Sequence, residues 1–530
     1  MAKNEVLIVG AGPVGLTMGI LLAELKQKFK IIDKRKVPAM DSRAAGIQPR
    51  TLEVFELMGV LSKFLQDGVK VVGFNIFSKN RELLHASYKG FDTPCSFVLD
   101  LPQSQTEHIL LKKLESLGHS VHQGVELSNL EIKKESVHVT LKEGEERTTP
   151  DEYLYVIGCD GARSACRKLT NTSFPGSEYP TKWIVLDAKL DWNYDFQEIN
   201  LFPHKDGLIA VFPLPHERSR IVIEYPSDLS SSSFFEMAQK ALQNRISSDI
   251  TFREPTDINP FIMHHRQVTS YKTERVFLAG DAAHLHSPAG GQGMNTGIQD
   301  AFNLAWKLAF VIQNKAPPTL LDSYHEERHP VAKEVLSITD RITKMMTVKN
   351  PALSFIRDSF MNTVGSFDTL KKQLLLKFSQ TTICYKSSNI IKESAKYPPK
   401  ELKLGARAPD HILKKAGDEI RLFSLLSLSN FTLLLFIGKH PSEETFKCLD
   451  EIASDIHPLV SPLIIYRNQS DYDQSVMGEI SIVDLEPSMH THYGITNPTA
   501  VLIRPDGYIG MIQEPPSKEF IQNTLKKVLT

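Results

Sequence analysis

Val6-Leu7-Ile8-Val9-Gly10-Ala11-Gly12-Pro13-Val14-Gly15, with Asp33 closing the next apolar run, is the stretch on which the reading of this 530-residue chain turns. Four apolar residues bounded by glycine suit a short buried strand. Pro13 to Leu25 reads as a helix and Phe29-Lys30-Ile31-Ile32 as a second strand, which together predict a βαβ unit and a parallel sheet with right-handed crossovers. Gly10 permits the tight turn, Gly12 lets backbone amides approach a pyrophosphate, and Gly15 allows the helix to pack closely on the sheet. The helix N-terminus adds partial positive charge, and Asp33 can accept hydrogen bonds from a ribose. A glycine-rich turn can be only a turn. With strand, helix and acid in register it predicts a dinucleotide site, without choosing between NAD and FAD.

Two later motifs make that choice. Tyr155-Val156-Ile157-Gly158-Cys159-Asp160-Gly161-Ala162-Arg163-Ser164 is a strand ending in Asp-Gly, and Arg275-Val276-Phe277-Leu278-Ala279-Gly280-Asp281-Ala282-Ala283-His284 is a strand ending in Gly-Asp. Taken in order with the fingerprint, they resemble the motifs of the flavoprotein aromatic hydroxylases, the family of para-hydroxybenzoate hydroxylase and phenol hydroxylase. Residues 1 to about 345 carry the resemblance.

The resemblance implies FAD, bound tightly but non-covalently, with Gly10, Ala11, Gly12, Pro13, Gly15, Asp33, Lys34, Arg35 and Asp160 among its contacts. It gives Asp281 the ribityl hydroxyls. In Pro288-Ala289-Gly290-Gly291-Gln292-Gly293-Met294-Asn295 it makes Gly291 a cofactor contact and brings Gly293, Met294 and Asn295 to the isoalloxazine ring, with Pro288 on the oxygen-reacting face. Read physically, the glycines of this loop expose backbone N–H groups, and the following helix dipole favours the anionic charge of a reduced flavin. Arg43, in Ser42 to Arg50, and Gln103, in Leu101 to Glu107, match two further cofactor segments of the family. Asp33 stands where many relatives carry Glu, a shorter carboxylate still within reach of a ribose.

By the same resemblance the activity is hydroxylation of an aromatic, phenol-like or polycyclic substrate. NADPH or NADH would reduce the flavin, O2 would add at C4a to give a hydroperoxide, and the electron-rich ring would attack it. Only one dinucleotide fingerprint is present, so the nicotinamide would bind without its own Rossmann domain. A general base would help by forming a phenolate. Tyr225, His204 and His264 are polar candidates that the sequence does not rank, so the catalytic residues stay unassigned. His284 and His286 lack a third ligand, so no metal is expected. A flavin reductase or dehydrogenase on the same fold, or a non-catalytic flavin-binding protein, are the alternatives.

Composition agrees with a small-molecule enzyme. The chain is 41% hydrophobic and 23% charged with net charge -1, which advertises neither nucleic acid nor a solvated tail. Val6 to Leu25 is interrupted by Gly10, Gly12, Pro13, Gly15 and Gly19, and no other window approaches the ~20 uninterrupted apolar residues of a membrane span. Cys95, Cys159, Cys166, Cys384 and Cys448 are odd in number and scattered, arguing against a disulfide framework or zinc site. A cytoplasmic protein is expected.

The expected fold class is α/β, with a discontinuous Rossmann-like FAD-binding domain (residues 1–72, 101–175 and 270–345). A mixed or antiparallel substrate-binding sheet is inserted at 73–100 and 176–269, where Trp183 to Ala188, Leu208 to Phe212 and Arg220 to Tyr225 read as strands. Ile298, Ala301, Phe302, Ala305, Leu308, Ala309 and Ile312 form one apolar helical face. More helix is expected to about Ile391, and 346–395 reads as a helical segment and linker. From 400 to 530 the sequence resembles a thioredoxin-like domain, through Phe431 to Ile437 and Tyr493 to Thr499, with Pro498 in the place of that fold's cis-proline. Gly438-Lys439-His440-Pro441-Ser442 lacks Cys-x-x-Cys, so a structural or dimerising role is expected, with a homodimer as one outcome.

Overall fold

The computed structural model describes residues 5–37, 44–78, 81–144, 147–225, 234–386, 388–395, 399–415, 417–467, 480–485 and 488–529. The βαβ reading is realised with small shifts: strand Val6–Val9, helix Pro13–Glu24 and strand Phe29–Asp33. Val6–Val9 pairs in parallel with both Phe29–Asp33 and Tyr155–Gly158, and the latter pairs in parallel with Val276–Leu278. The fingerprint, Asp-Gly and Gly-Asp turns therefore leave neighbouring strands of one six-stranded sheet at the same end. That end is where open α/β sheets bind ligands.

A second, eight-stranded sheet holds the Gly176–Asp191, Arg218–Tyr225 and Thr251–Gln267 strands at its centre. It is antiparallel apart from the parallel pair of Glu198–Phe202 with Gly73–Ser78, and its edge strand His284–Leu285 runs directly out of the Gly-Asp motif. This sheet reaches back to the nucleotide end of the molecule through that edge.

The apolar stripe beginning at Ile298 lies on the helix Gln292–Ile312, but burial extends far beyond one face and includes Asp300, Asn303 and Lys307. The C-terminal unit covers the face that sequence periodicity assigns to solvent. Trp306 meets Phe431 edge-on with ring centres 5.6 Å apart, and Asn303 Nδ2 donates to Asp506 Oδ2 at 3.2 Å.

Helical structure ends at Phe378 rather than near Ile391, and Lys392–Ala395 pairs in parallel with the Ile509–Glu514 strand. The stretch read as the end of a linker is thus already an edge strand of the C-terminal eight-stranded sheet. Residues 396–398 lie outside those described. The cis X-Pro bond in this region is Glu514–Pro515, not the one before Pro498. Among the described residues no helix is long and apolar enough to cross a membrane.

Candidate cofactor and substrate site

Gly10 has φ +101°, and a Cβ there would lie 2.4 Å from the Cys159 carbonyl oxygen, so the fingerprint turn rests directly on the Asp-Gly turn. Gly280, at φ +60°, would place a Cβ 2.8 Å from Cγ2 of Val14, and one on Gly297 would come within 2.7 Å of the same methyl. Glycine at these positions lets the fingerprint turn touch the Asp-Gly turn backbone to backbone and lets the Gly-Asp turn and the Gln292–Ile312 helix close on the Val14 side chain.

Around Gly12 the polar groups form one cluster. The Ala11 N–H donates to Asp33 Oδ2 at 2.8 Å, and the Arg35 N–H donates to Asp33 Oδ1 at 2.8 Å. The Arg35 guanidinium closes on both carboxylate oxygens at 3.0 and 3.1 Å. Burial opposes the Asp33 charge, yet Arg35 and the two amides more than offset it and hold its carboxyl below the usual range. Arg35 also lies 3.7 Å from Glu107, which accepts from Gln103 Nε2 at 2.9 Å. Lys34 is exposed. Space over Gly12 is open, because a Cβ there would meet only Glu107 Oε1, at 4.0 Å.

Two long helices start at this end without protection. The buried Pro13 begins a helix whose N-cap Gly12 brings no side-chain cap and whose first turn holds no acid. The Gln292–Ile312 helix starts from Gly291 in the same way. Their orphan N–H groups and dipoles are left for an anionic ligand. Asp281 is exposed on the short turn Gly280–Ala282. These features fit a dinucleotide carrying a pyrophosphate.

Other predicted residues also make contacts within the protein. Asn295 is fully buried: its Nδ2 donates to Gly46 O at 2.8 Å and Gly291 O at 2.6 Å, and its Oδ1 accepts from the Gln48 N–H at 2.8 Å. It staples the 288–295 loop to the segment after residue 44. Pro288 is exposed and Met294 half-buried on that loop, with Gly290 and Gly291 at φ +75° and +62°. A Cβ on Gly293 would meet only His286, at 3.8 Å. Asp160 Oδ2 accepts from the Ala165 and Cys166 amides at 2.6 and 3.1 Å, so that oxygen holds the start of a helix while Oδ1 is buried without a partner. Arg43 lies outside the described residues.

The three candidates for a base are dispersed. His204 lies 3.3 Å from Asp206, His264 lies 3.5 Å from Glu178, and Tyr225 faces the Phe234 ring. None of these contacts involves the Gly10, Asp281 or Pro288 turns.

Sequence reasoning missed two buried polar features beside the site. Asp187 and Arg220 are direct cross-strand partners, joined by two bonds of 2.8 Å, and Arg220 Nη1 donates to Ala44 O at 2.8 Å. Their signal was opposite charge beside two apolar runs, Trp183 to Leu186 and Ile221 to Ile223. The second feature is Asp100, fully buried at the end of strand Val98–Asp100, with no partner for either oxygen.

Burial pushes the Asp100 carboxyl up to about 8, despite the pull of Arg220. Its folded-state value lies above the roughly 3.9 of an unfolded chain, so stability is full below the unfolded value and is lost as pH rises towards about 8. The loss is on the order of 5 kcal/mol. Asp100→Asn is expected to flatten this dependence, leaving the variant more stable than the parent above pH 8. Denaturant melts at pH 5 and pH 8.5 check it, and parallel pH dependence in both proteins would show that this carboxyl is not desolvated.

Residues 3–339 match the family described as FAD binding domain, and residues 402–530 match aromatic-ring hydroxylase, C-terminal. The chain belongs to the FAD-dependent aromatic-ring hydroxylases. It is 33% identical over 439 residues to the uncharacterized aromatic compound monooxygenase YhjG of Bacillus subtilis (strain 168), spanning 82% of this chain and 85% of the relative. It is 30% identical over 525 residues to pentachlorophenol 4-monooxygenase of Sphingobium chlorophenolicum, spanning 96% and 93%. OxyS anhydrotetracycline hydroxylase from Streptomyces rimosus superposes with a TM-score of 0.77 at 26% identity over 99% of each chain. The hydroxylase is thus a flavin-dependent aromatic monooxygenase by family. Among its described residues no group of three or more His, Cys, Asp or Glu side chains could hold a metal ion.

Proposed function

We propose that this chain is a single-component FAD monooxygenase that inserts one oxygen atom from O2 into a phenol-like or polycyclic aromatic substrate, with NADPH or NADH as reductant. The convergence of three glycine turns at one end of the parallel sheet carries this reading. When bound, FAD takes up reducing equivalents from the coenzyme and activates oxygen, chemistry that the protein itself lacks.

What the chain supplies is position and environment. Gly10, Ala11, Gly12, Pro13 and Gly15 would receive the pyrophosphate on an uncapped helix start, with the Asp33, Lys34 and Arg35 stretch at the ribose. Asp281, Gln103, Asp160 and Arg43 are assigned to the same cofactor. Pro288, Gly291, Gly293, Met294 and Asn295 form the loop that would face its ring end. The Gln292–Ile312 helix dipole there favours added negative charge. The apolar faces of the inserted sheet exclude water, which strengthens each polar contact inside.

We further propose the discontinuous domain division given above, with 392–395 transferred to the C-terminal unit. The order of strand Phe431–Phe436, helix Glu443–Ser454, strand Val460–Tyr466, antiparallel strands Thr499–Ile503 and Ile509–Glu514, and helix Lys518–Val528 supports a thioredoxin-like unit. Without a Cys-x-x-Cys its role is structural, and self-association into a homodimer is compatible with it. Five free cysteines support a reducing, cytoplasmic compartment.

The purified protein should be yellow, and substrate-stimulated oxygen uptake should accompany NADPH or NADH oxidation with a panel of phenols and polycyclic aromatics. Product mass under labelled oxygen should rise by one oxygen atom derived from O2. Coenzyme oxidation without incorporation would make the chain a reductase or dehydrogenase. Bound FAD with no stimulated turnover would make it a flavin-binding protein.

A further inference from the structure

Beneath the 288–295 loop lies a chain of buried polar side chains that the cofactor reading does not use. Asp300 Oδ1 accepts from Arg328 Nε at 2.8 Å, and its Oδ2 accepts from the Gly280 N–H at 3.1 Å. The same Oδ2 lies 2.7 Å from His284 Nε2, and His284 Nδ1 lies 2.7 Å from His286 Nε2. Asp300 and His284 are completely buried, and the Tyr271 ring stacks on His284 at 6.0 Å. His286 sits beside Gly293, and its Nδ1 is buried with no hydrogen-bond partner.

The protons in this chain follow from its anchored end. Burial opposes the Asp300 charge, but Arg328 and His284 more than offset it and keep the carboxyl ionised. An ionised carboxylate can only accept, so His284 Nε2 carries the hydrogen, and in the neutral His284 ring Nδ1 is then the acceptor. His286 must then donate from Nε2, which leaves Nδ1 as an unprotonated lone pair. Burial, then His284, then His265 also push the His286 pKa well below its ordinary value.

We propose that His286 Nδ1 accepts a hydrogen bond, and during turnover a proton, from the ligand held on the Pro288–Met294 loop, with His284 and Asp300 as the positioning residues that fix the tautomer leaving this nitrogen unprotonated. The inference rests on the flavin reading of that loop. In the transfer an Nδ1–H bond forms, the ligand is left one unit more negative, and the imidazolium is stabilised by Asp300 through His284. Return of the proton restores both partners.

An exit towards solvent is present on the other side. His265, on the Thr251–Gln267 strand, has its own buried Nδ1 without a partner and interacts electrostatically with both His286 and Asp340. Asp340 reaches the surface, where it accepts from Tyr179 at 2.7 Å and Lys344 at 2.8 Å. The charged or titratable groups bearing on His286 are thus His284 on its own segment, His265 on the neighbouring strand, Asp300 and Arg328 on two helices, and Asp340 through His265.

Protein labelled with 15N in histidine reads the relay without turnover. The apoprotein should show a His286 Nδ1 resonance of the unprotonated type, assigned by its loss in His286→Gln, and FAD loading should shift it. Turnover in His286→Gln should fall about 100-fold, within the range for a positioned acid–base group, and the acidic limb of the pH profile should disappear while FAD affinity stays within a few-fold. His286→Asn, which keeps an acceptor near the Nδ1 position but cannot titrate, should recover FAD-ring contact without recovering that limb. An apoprotein with a protonated Nδ1, or a yellow wild type whose Nδ1 signal does not move on loading and whose pH limb survives in His286→Gln, overturns the relay alone. A wild type that takes up no FAD overturns the flavin reading, and the relay's ligand with it.

Discussion

Gly12→Ala is expected to leave the apoprotein as stable as the parent while weakening FAD binding about 100-fold, whereas Gly15→Ala should damage both. The difference lies in what each new methyl would meet. Over Gly12 the protein offers nothing nearer than Glu107 Oε1 at 4.0 Å, so only a ligand can object to a side chain there. At Gly15 a Cβ would fall 1.9 Å from Gly10 O and 3.0 Å from Gly10 C, atoms of the fingerprint turn itself. That overlap is with backbone and cannot be relieved by a rotamer. Overpacking of this kind costs roughly 3 kcal/mol, and the same figure expressed as lost cofactor affinity is about 100-fold. Urea melts of the apoproteins and flavin fluorescence titrations separate the two variants. A Gly12→Ala protein that binds FAD normally would remove the pyrophosphate from this turn.

Glu327→Ala should be the most destabilising single change in the helical core. Glu327 accepts from Arg504 at 2.6 and 2.9 Å and from Lys307 at 2.7 Å, all three side chains being fully buried. Arg504 is also paired with Asp506, whose backbone oxygen accepts from the buried Arg50 at 2.7 Å. Removing the central carboxylate leaves Lys307 without its ion-pair partner and Arg504 short of one, a loss of about 3–5 kcal/mol. Because Arg504 and Asp506 come from the C-terminal unit while Glu327 and Lys307 come from the helices, the lowered urea midpoint should be accompanied by loosening of that unit, read by proteolysis. Burial opposes the Glu327 charge, but Arg504 and Lys307 hold its carboxyl well below the usual range. Its contribution is therefore present above the unfolded value, roughly 4.3, and is lost only in strong acid. A midpoint within experimental scatter of the parent would show that the network is not sealed from water.

These two predictions draw on different layers of information. The Gly12 prediction was legible in the chain, because a strand, a glycine turn, a helix and an acid at set spacing are local features whose backbone requirements do not depend on distant residues. The strands Trp183 to Ala188 and Arg220 to Tyr225 were legible for the same reason. Asp187 and Arg220 within them were not recognised as partners, since cross-strand register is set by contacts far apart in sequence. The Gln292–Ile312 helix shows the limit from another side. Its periodicity identified one apolar face, but the opposite face carries Asp300, Asn303 and Lys307, polar residues that local reasoning assigns to water. They are buried because the C-terminal unit and the 322–346 helix supply partners for each. Asn295, read as a ring contact, is also a three-way backbone staple, a role visible only once Gly46, Gln48 and Gly291 are neighbours.

Sequence alone determined that a strand, glycine turn and helix open the fold and that two further glycine–acid turns belong with them, because each is encoded by backbone demands spanning a few residues. Tertiary structure alone decided that His286 is left with an unpartnered nitrogen, that Asp100 is shut away without a bond, and that Glu327 joins the helices to the C-terminal unit. The reason is that a side chain's charge and hydrogen bonding depend on which distant groups replace the water it loses on burial, and chain order does not specify them.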